Sequence, residues 1–408
     1  MSEPRVAIVG AATTQFGRNL ADKTRTQLHV EAAKKAADDA GLSLKQIDGL
    51  LTTGTGGSGT GEAARYDNPR WHMELAEVLG IYDKSLCANL LTGGASGGHA
   101  VEIGRWALQS GRCKYVMVVA GAKESAAERT GRGHGHTDKM AMLTMHYPDY
   151  EHPFGPLMPS YYAACARRHM YEFGTTEEQL ASIPVAIRHN ASLNPDAVYR
   201  QRITVDDVLN SKMISSPLHL LHCCAVNDGG VAYVLTTEER ARDLRQKPVF
   251  VLGSGGGQSG YWSGFLANGG ADKGYGLVRT QARRAAEQAF GEAGVTRDEI
   301  DFVNTCDNFA ITPLVLLEDY GFCKKGEGGS FIGRDGERIK VGGDLPLNTH
   351  GGALSCNHAG INYHNYVEAT IQLRGQAGER QVEGAKIALA GATAGIISTH
   401  YATVLGVE

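Results

Sequence analysis

The stretch Leu347 to Gly360, Leu-Asn-Thr-His-Gly-Gly-Ala-Leu-Ser-Cys-Asn-His-Ala-Gly, sets Cys356 and His358 two residues apart beside a Gly351-Gly352 pair. A thiol and an imidazole on permissive backbone can pass a proton, attack a carbonyl carbon or hold an oxyanion. The same residue types are equally at home in a packed interior, where cysteine behaves as a small hydrophobe and histidine is satisfied by its neighbours. Elements elsewhere in the chain must decide between these readings.

Composition narrows the field. Hydrophobic residues make up 42% and charged residues 21% of the 408 residues, as expected of a globular protein, while 53 glycines imply many tight turns or close backbone approaches. The length suggests two to three domains. A net charge of -4 gives no electrostatic footprint for nucleic acid or anionic membrane. No long apolar run and no leader-like segment is seen, so a cytoplasmic protein is expected. The eight cysteines show no CxxC spacing, which argues against a disulfide framework and against a metal site.

The elements that would position the thiols come in two similar sets. Val6-Ala-Ile-Val-Gly reads as a buried strand, Leu28 to Ala40 as a helix stopped by Gly41, and Ile47 to Thr52 as a second strand. The order returns with Val249-Phe-Val-Leu-Gly, a helix ending at Ala293-Gly294, and Ile300 to Thr305. At an offset of 253 residues, Ala32, Ala33, Ala36, Ala40, Gly41, Ile47, Asp48 and Thr52 meet identical Ala285, Ala286, Ala289, Ala293, Gly294, Ile300, Asp301 and Thr305. Gly93-Gly94-Ala95 answers Gly351-Gly352-Ala353, and Val101-Glu102 answers Val367-Glu368. This is an internal duplication. Strands alternating with helices imply an α/β protein with two mostly parallel sheets covered on both faces. The halves are expected over residues 1–122 with 217–246, and over 247–408. Residues 123–216 break the repeat and read as an inserted loop region, with a helix capped by Thr175 or Thr176 and a Met-rich, aromatic stretch from Met140 to Tyr162.

With these features in hand, the chain resembles the thiolase superfamily, in the branch of sterol carrier protein thiolase-like proteins. The resemblance runs from end to end. It rests on the duplicated halves, on Asn227-Asp-Gly-Gly closing the first, on Asp307-Asn-Phe-Ala-Ile, and on Asn348-Thr-His-Gly-Gly followed by His358. It implies the thiolase fold, two duplicated halves in a five-layered αβαβα body with an inserted loop domain. It also implies carbon-carbon bond cleavage or formation next to a coenzyme A thioester, with CoA as co-substrate and no tightly bound cofactor. His358 would then stabilise the oxyanion, with backbone N–H groups near Gly94, Gly352 and Gly395 as further donors.

Departures from the family pattern shape the expected chemistry. The family's nucleophilic cysteine, which opens a helix, is replaced here in Gly94-Ala95-Ser96-Gly97, and its second cysteine is missing from Ala390-Gly-Ala-Thr-Ala-Gly395. Cys306 stands where thiolases hold the Asn of an Asn-Glu-Ala-Phe motif. Related aldolases of steroid side-chain breakdown carry tyrosines in this region. Cys356, Cys306 and His358 are therefore the expected catalytic set, converging on one pocket with Gly94 opposite.

The function that follows is retro-Claisen cleavage of a β-ketoacyl-CoA with CoA, on an aromatic substrate such as benzoylsuccinyl-CoA. Two alternatives stay open: a retro-aldolase acting on a β-hydroxyacyl-CoA, and a non-catalytic acyl-CoA-binding subunit. The resemblance further implies a homodimer and a small zinc-ribbon and oligonucleotide-fold (OB-fold) accessory subunit. The uncharged segment Leu86 to Leu91 suits a covered sheet edge.

Overall fold

The computed structural model describes residues 3–53, 70–123, 158–259, 276–360 and 362–408. The first half contains β1 (Val6–Thr13), α1 (Arg25–Ala40), β2 (Gly49–Thr52), α2 (Trp71–Leu79), β3 (Leu86–Asn89), α3 (Ser96–Gln109) and β4 (Tyr115–Lys123). Helices α4 (Met158–Phe173) and α5 (Glu177–Ser192) and a short hairpin of β5 (Met213–Ser215) and β6 (Leu218–His219) precede β7 (Asp228–Thr237). The second half follows with β8 (Val249–Gln258), α6 (Ala282–Ala293), β9 (Phe302–Asn304), α7 (Ile311–Tyr320), α8 (Tyr363–Leu373), β10 (Ile387–Ala394) and β11 (Thr399–Gly406). Residues 124–157 of the segment read as an inserted loop, including Gly131 to His136 and Met140 to Leu157, lie outside the described residues; the remainder of that segment carries α4, α5 and the β5 strand.

Helix limits follow local chemistry. Thr24 caps α1 by accepting from the Gln27 N–H while the Gln27 side chain returns to the Thr24 N–H, and Gly41 ends the helix at φ 74°. Thr176 and Gln179 repeat that reciprocal cap at the start of α5. In the second half Gly294, at φ 67°, ends α6 as Gly41 ends α1.

Among the described residues, nine strands form one sheet in the order β3-β2-β4-β7-β1-β8-β11-β10-β9, and β5 and β6 pair separately. Each half contributes its own run of strands, as expected, but the runs are hydrogen-bonded into one another and are mostly antiparallel where mostly parallel strands were expected from the sequence. The halves are joined edge to edge where Ala7 pairs with Phe250 and Ile8 with Val249. Only β2–β3, β2–β4 and β9–β10 are parallel; the other neighbours are antiparallel. The physical reason is connection length. A parallel neighbour needs a crossover, whereas β10 passes to β11 through a tight turn that permits only an antiparallel return.

The duplication is visible in this topology. β1 and β8 sit side by side at the centre, each with an antiparallel outer neighbour, β7 or β11. Each is also pressed by its helix at the same point. A Cβ on Gly10 would lie 2.1 Å from the Ala36 carbonyl oxygen, and one on Gly253 would lie 2.2 Å from that of Ala289. Ala36 and Ala289 are the partners that the sequence repeat pairs. Since a backbone carbonyl cannot swing aside, Gly253→Ala is expected to cost about 3 kcal/mol, the upper range of overpacking. Urea unfolding of that variant, showing an unchanged midpoint, would disprove the shared contact.

Alternation along the strands sorts the core into layers. Ala7 and Val9 face α1 and α2 in one outer cluster, with Ala36, Trp71 and Leu75. Ile8 faces the opposite way into a central cluster that holds Val101 of α3, Tyr366 and Val367 of α8, and strand residues from both halves. A third cluster gathers α4, α5, α6 and α7 over β9 to β11. The body is thus the layered αβαβα arrangement, and α3 and α8 are the helices sandwiched within it.

Candidate active site

Four segments meet beyond the ends of β9 and β10: the residues after β9, the glycine-rich stretch before α8, the start of α3, and the approach to β7. Hydrogen bonds lace the first two together. The Thr305 N–H donates to Asn348 Oδ1 at 2.7 Å, and the Thr349 N–H to Asn304 Oδ1 at 3.2 Å. Cys306 and Cys356, 50 residues apart in sequence, therefore sit on adjoining strips of backbone.

Gly352–Cys356 forms a single π-helical turn, in which the Cys356 N–H reaches the Gly351 carbonyl at 3.1 Å. Such turns are rare and concentrate at functional sites. Asp307 holds this one in place, accepting from the Ala353 N–H at 2.7 Å and the Leu354 N–H at 3.3 Å. Gly352, at φ 55°, is required here, because a Cβ would lie 1.9 Å from Asp307 Oδ2. The N–H groups that Gly352 turns inward are thus occupied by a carboxylate. Burial pushes the Asp307 carboxyl up to about 6, against the pull of those hydrogen bonds.

The Asn227 side chain fixes the end of the turn. Its Oδ1 accepts from the N–H groups of His358 at 2.9 Å and Ala359 at 3.1 Å, and its Nδ2 donates to the Cys356 carbonyl at 3.2 Å. Asn227 is fully buried, while His358 is half-buried.

The expected pairing of Cys306 with Cys356 is not what the packing shows. Cys356 belongs to the central apolar cluster and Cys306 to the outer one, with Asp307 between them and felt by both. The Cys356 sulfur accepts from Asn194 Nδ2 at 3.6 Å and is fully buried. Burial first, and the Glu368 carboxylate second, drive its thiol far above the ordinary range. Glu368 itself is held by Thr349, Gln372 and Arg380. Cys306 is 1% exposed, and burial pushes its thiol up to about 12.

Cys306 does meet the start of α3. The Asn362 amide lies close enough to the Cys306 thiol to lower its pKa slightly against the larger effect of burial, and Asn362 Nδ2 donates to the Gly94 carbonyl at 2.7 Å and to the Thr393 carbonyl at 3.1 Å. Gly94 lies half-buried in the short turn Gly93–Ala95 that leads into α3. Gly395, at φ 60°, is exposed in the β10–β11 turn, whose neighbour Ala394 stands within 3.1 Å of where a Gly93 Cβ would be. The structure therefore joins Cys306, Gly94 and the Gly395 turn around Asn362, and sets Cys356 behind the π-turn that carries His358.

Sequence reasoning passed over four of these residues. Asn227 and Asp307 lay in segments already singled out, yet nothing in their spacing says that each grips the same distant turn. Asn362, at φ 66°, and Asn194 have no local signal at all. A cavity of about 610 Å³ among Glu178, Gln179, Ser182, Thr204, Asp206 and Arg334 touches none of this chemistry.

Comparison with known proteins gives this geometry its family. Residues 272–407 match the family described as Thiolase C-terminal domain-like. An acetyl-CoA acetyltransferase of Methanothermobacter thermautotrophicus is 33% identical, covering 97% of this chain and 98% of its own. The 17-hydroxy-3-oxo-4-pregnene-20-carboxyl-CoA lyase of Mycobacterium tuberculosis is also 33% identical, over 92% and 93%. Among solved structures, an Ltp2-ChsH2(DUF35) aldolase superposes with a TM-score of 0.82 at 28% identity, covering 100% of this chain and 99% of that one. The chain belongs to the thiolase superfamily, in its sterol carrier protein thiolase-like branch. It is an enzyme of thiolase type, from a group whose members include both acetyltransferases and lyases.

Proposed function

We propose that the protein cleaves a β-ketoacyl-CoA with CoA by retro-Claisen chemistry, with CoA as co-substrate. The observation that carries this reading is the meeting of a thiol-bearing segment, Cys306, with the Gly94 turn at the start of α3 beside Asn362, next to the π-turn that is followed by a half-buried His358. Expelling an enolate puts negative charge on the thioester oxygen. An imidazole on a clamped backbone suits that charge, and a sulfur nucleophile suits the ketone carbon. Cys356, sealed behind the turn, would support His358 from within.

A retro-aldol reading has one observation in its favour. The buried Tyr162 hydroxyl lies near Asn308 and Cys306, and burial raises its pKa well above the ordinary range, so it would remain a proton donor. Incubation of the purified chain and CoA with β-ketoacyl-CoA esters, benzoylsuccinyl-CoA among them, and with β-hydroxyacyl-CoA esters separates the two. Thiolysis consumes one free CoA and yields two thioesters. Cleavage of a hydroxyacyl ester to a carbonyl compound and one thioester, without CoA consumption, would replace the retro-Claisen reading.

The reading includes assembly. Strand β3 is the edge of the sheet, all four of its residues are only half-buried, and Leu91 just beyond it is 68% exposed. An uncharged edge of this kind invites pairing, so a homodimer across β3 is proposed, together with a small zinc-ribbon/OB-fold accessory subunit like that implied by the family resemblance. Light scattering after size exclusion is expected to report a dimer, and Ala88→Lys on the edge to yield monomer. A monomeric wild-type chain would end the proposal, as would full activity without any partner for the accessory subunit.

A further inference from the structure

We infer that Cys224, rather than Cys306 or Cys356, is the thiol that takes the acyl group; the inference rests on the retro-Claisen reading above. The eight cysteines divide evenly. Cys113, Cys165, Cys306 and Cys356 are buried, and Cys87, Cys223, Cys224 and Cys323 are half-buried. Among the half-buried four, Cys87 lies on the β3 edge and donates to the His72 carbonyl. Cys223 packs against the outer apolar cluster and donates to the His219 carbonyl. Cys323 follows α7 beside Glu318 and Lys325. Only Cys224 is both solvent-accessible and built into the site.

Its position is set by backbone. The Cys224 N–H donates to the Asn308 carbonyl at 2.9 Å, and next to it Ala225 donates to the Ala353 carbonyl at 3.0 Å. This short strip therefore spans from the Cys306 segment to the π-turn, and three residues later it supplies Asn227, the clamp on His358. Cys223 forms an antiparallel bridge with Phe309, which puts Cys224 opposite Asn308 and on the diagonal from Cys306. The two sulfurs are near enough that charge on Cys224 raises the Cys306 pKa, and Tyr162 feels both. Asn308, like Cys224, is half-buried. Cys224 is thus the front of a cluster whose buried rear is Cys306 and Tyr162, both held protonated.

The chemistry balances with the groups present and CoA. The Cys224 thiolate adds to the β-keto carbon, and the bond from that carbon to the α-carbon breaks. Its electron pair passes to the α-carbon as a thioester enolate, which takes up the proton that Cys224 gave up. The acyl group now on Cys224 is attacked by the CoA thiol, the Cys224–acyl bond breaks, and the CoA proton returns to the leaving sulfur. The sum is one β-ketoacyl-CoA plus one CoA giving two acyl-CoA molecules.

The test uses the full chain and has two arms. First, limiting iodoacetamide is expected to alkylate Cys224 at least about tenfold faster than Cys306 and Cys356, with protection by acetoacetyl-CoA. Fragment spectra must separate Cys224 from adjacent Cys223. Second, quenching the enzyme during thiolysis of a β-ketoacyl-CoA is expected to leave the acyl mass on Cys224. Cys224→Ala should lose about 10³-fold in kcat with an unchanged melting temperature, against much smaller losses for Cys306→Ala. Thiolysis that survives in Cys224→Ala, or an adduct on Cys306 or Cys356, overturns the inference and leaves the retro-Claisen reading intact. Alkylation elsewhere, unaffected by the CoA ester, also overturns it. A wild-type chain that thiolyses no ester defeats the reading itself, and the assignment of Cys224 falls with it.

Discussion

His358→Ala is expected to lower kcat about 10²- to 10³-fold while changing KM little, the pattern of a lost oxyanion donor. Asn227, fully buried, holds the N–H groups of both His358 and Ala359, and ties the Cys356 carbonyl on the other side. The imidazole therefore leaves a fixed stem and is half-buried, so that it need not reorganise as charge develops on the thioester oxygen. Steady-state kinetics on whichever CoA ester the chain turns over provides the measurement. Asn227→Ala supplies the control, since Asn227 acts only through that stem. It should cost less in kcat than His358→Ala but lower the melting temperature, because two N–H groups and a carbonyl lose their buried partner. A His358→Ala enzyme within about threefold of wild-type kcat would remove His358 from the chemistry.

The halves of the molecule were legible because each repeats a strand glycine under an alanine-faced helix, a contact that tolerates little substitution. Gly10 under Ala36 and Gly253 under Ala289 are the structural form of the offset seen in the sequence. Sheet direction was less legible. Buried strands of a parallel and an antiparallel sheet carry the same apolar residues, and only the tight β10–β11 connection distinguishes them. Within the site, the spacing of Cys356 and His358 was plain, but the direction of each side chain was not. A π-turn, stapled by a carboxylate contributed from after β9, rotates Cys356 into the central core and leaves His358 half-buried. No local pattern encodes that rotation, because Asp307 lies 45 residues before the Gly352 it shapes. Cys224 escaped for the opposite reason. Nothing in its spacing marks it, and its value lies wholly in the Asn308 and Ala353 carbonyls, which accept from its own N–H and from that of Ala225.

The fold is expected to fail steeply as the pH falls from about 6.5 toward 5, because it buries histidines that it cannot charge. Burial lowers His29 and His350 to about 3 and His222 and His400 to about 4, and it holds His364 well below the ordinary range as well. In the unfolded chain these imidazoles titrate near 6.5, so below that pH the unfolded state binds protons that the fold refuses, and stability drops with falling pH. Each of the four groups with a stated value then costs about 1.4 kcal/mol per pH unit until its folded pKa is reached, about 5 kcal/mol together at pH 5.5. Asp307 works the other way. Its carboxyl, raised to about 6, penalises the fold above that pH and returns about 1 kcal/mol as the pH falls from 7 to 5.5. Four imidazoles outweigh one carboxyl, and against a typical stability of about 5–15 kcal/mol the net loss brings the midpoint of acid unfolding to about pH 5. Guanidinium titrations at pH 7.5, 6.5 and 5.5 measure it directly, the slope of stability against pH giving an uptake of about four protons per chain on unfolding near pH 5.5. A stability that stays flat from pH 7.5 to 5.5 would mean that these histidines reach solvent or a partner carboxylate in the native protein.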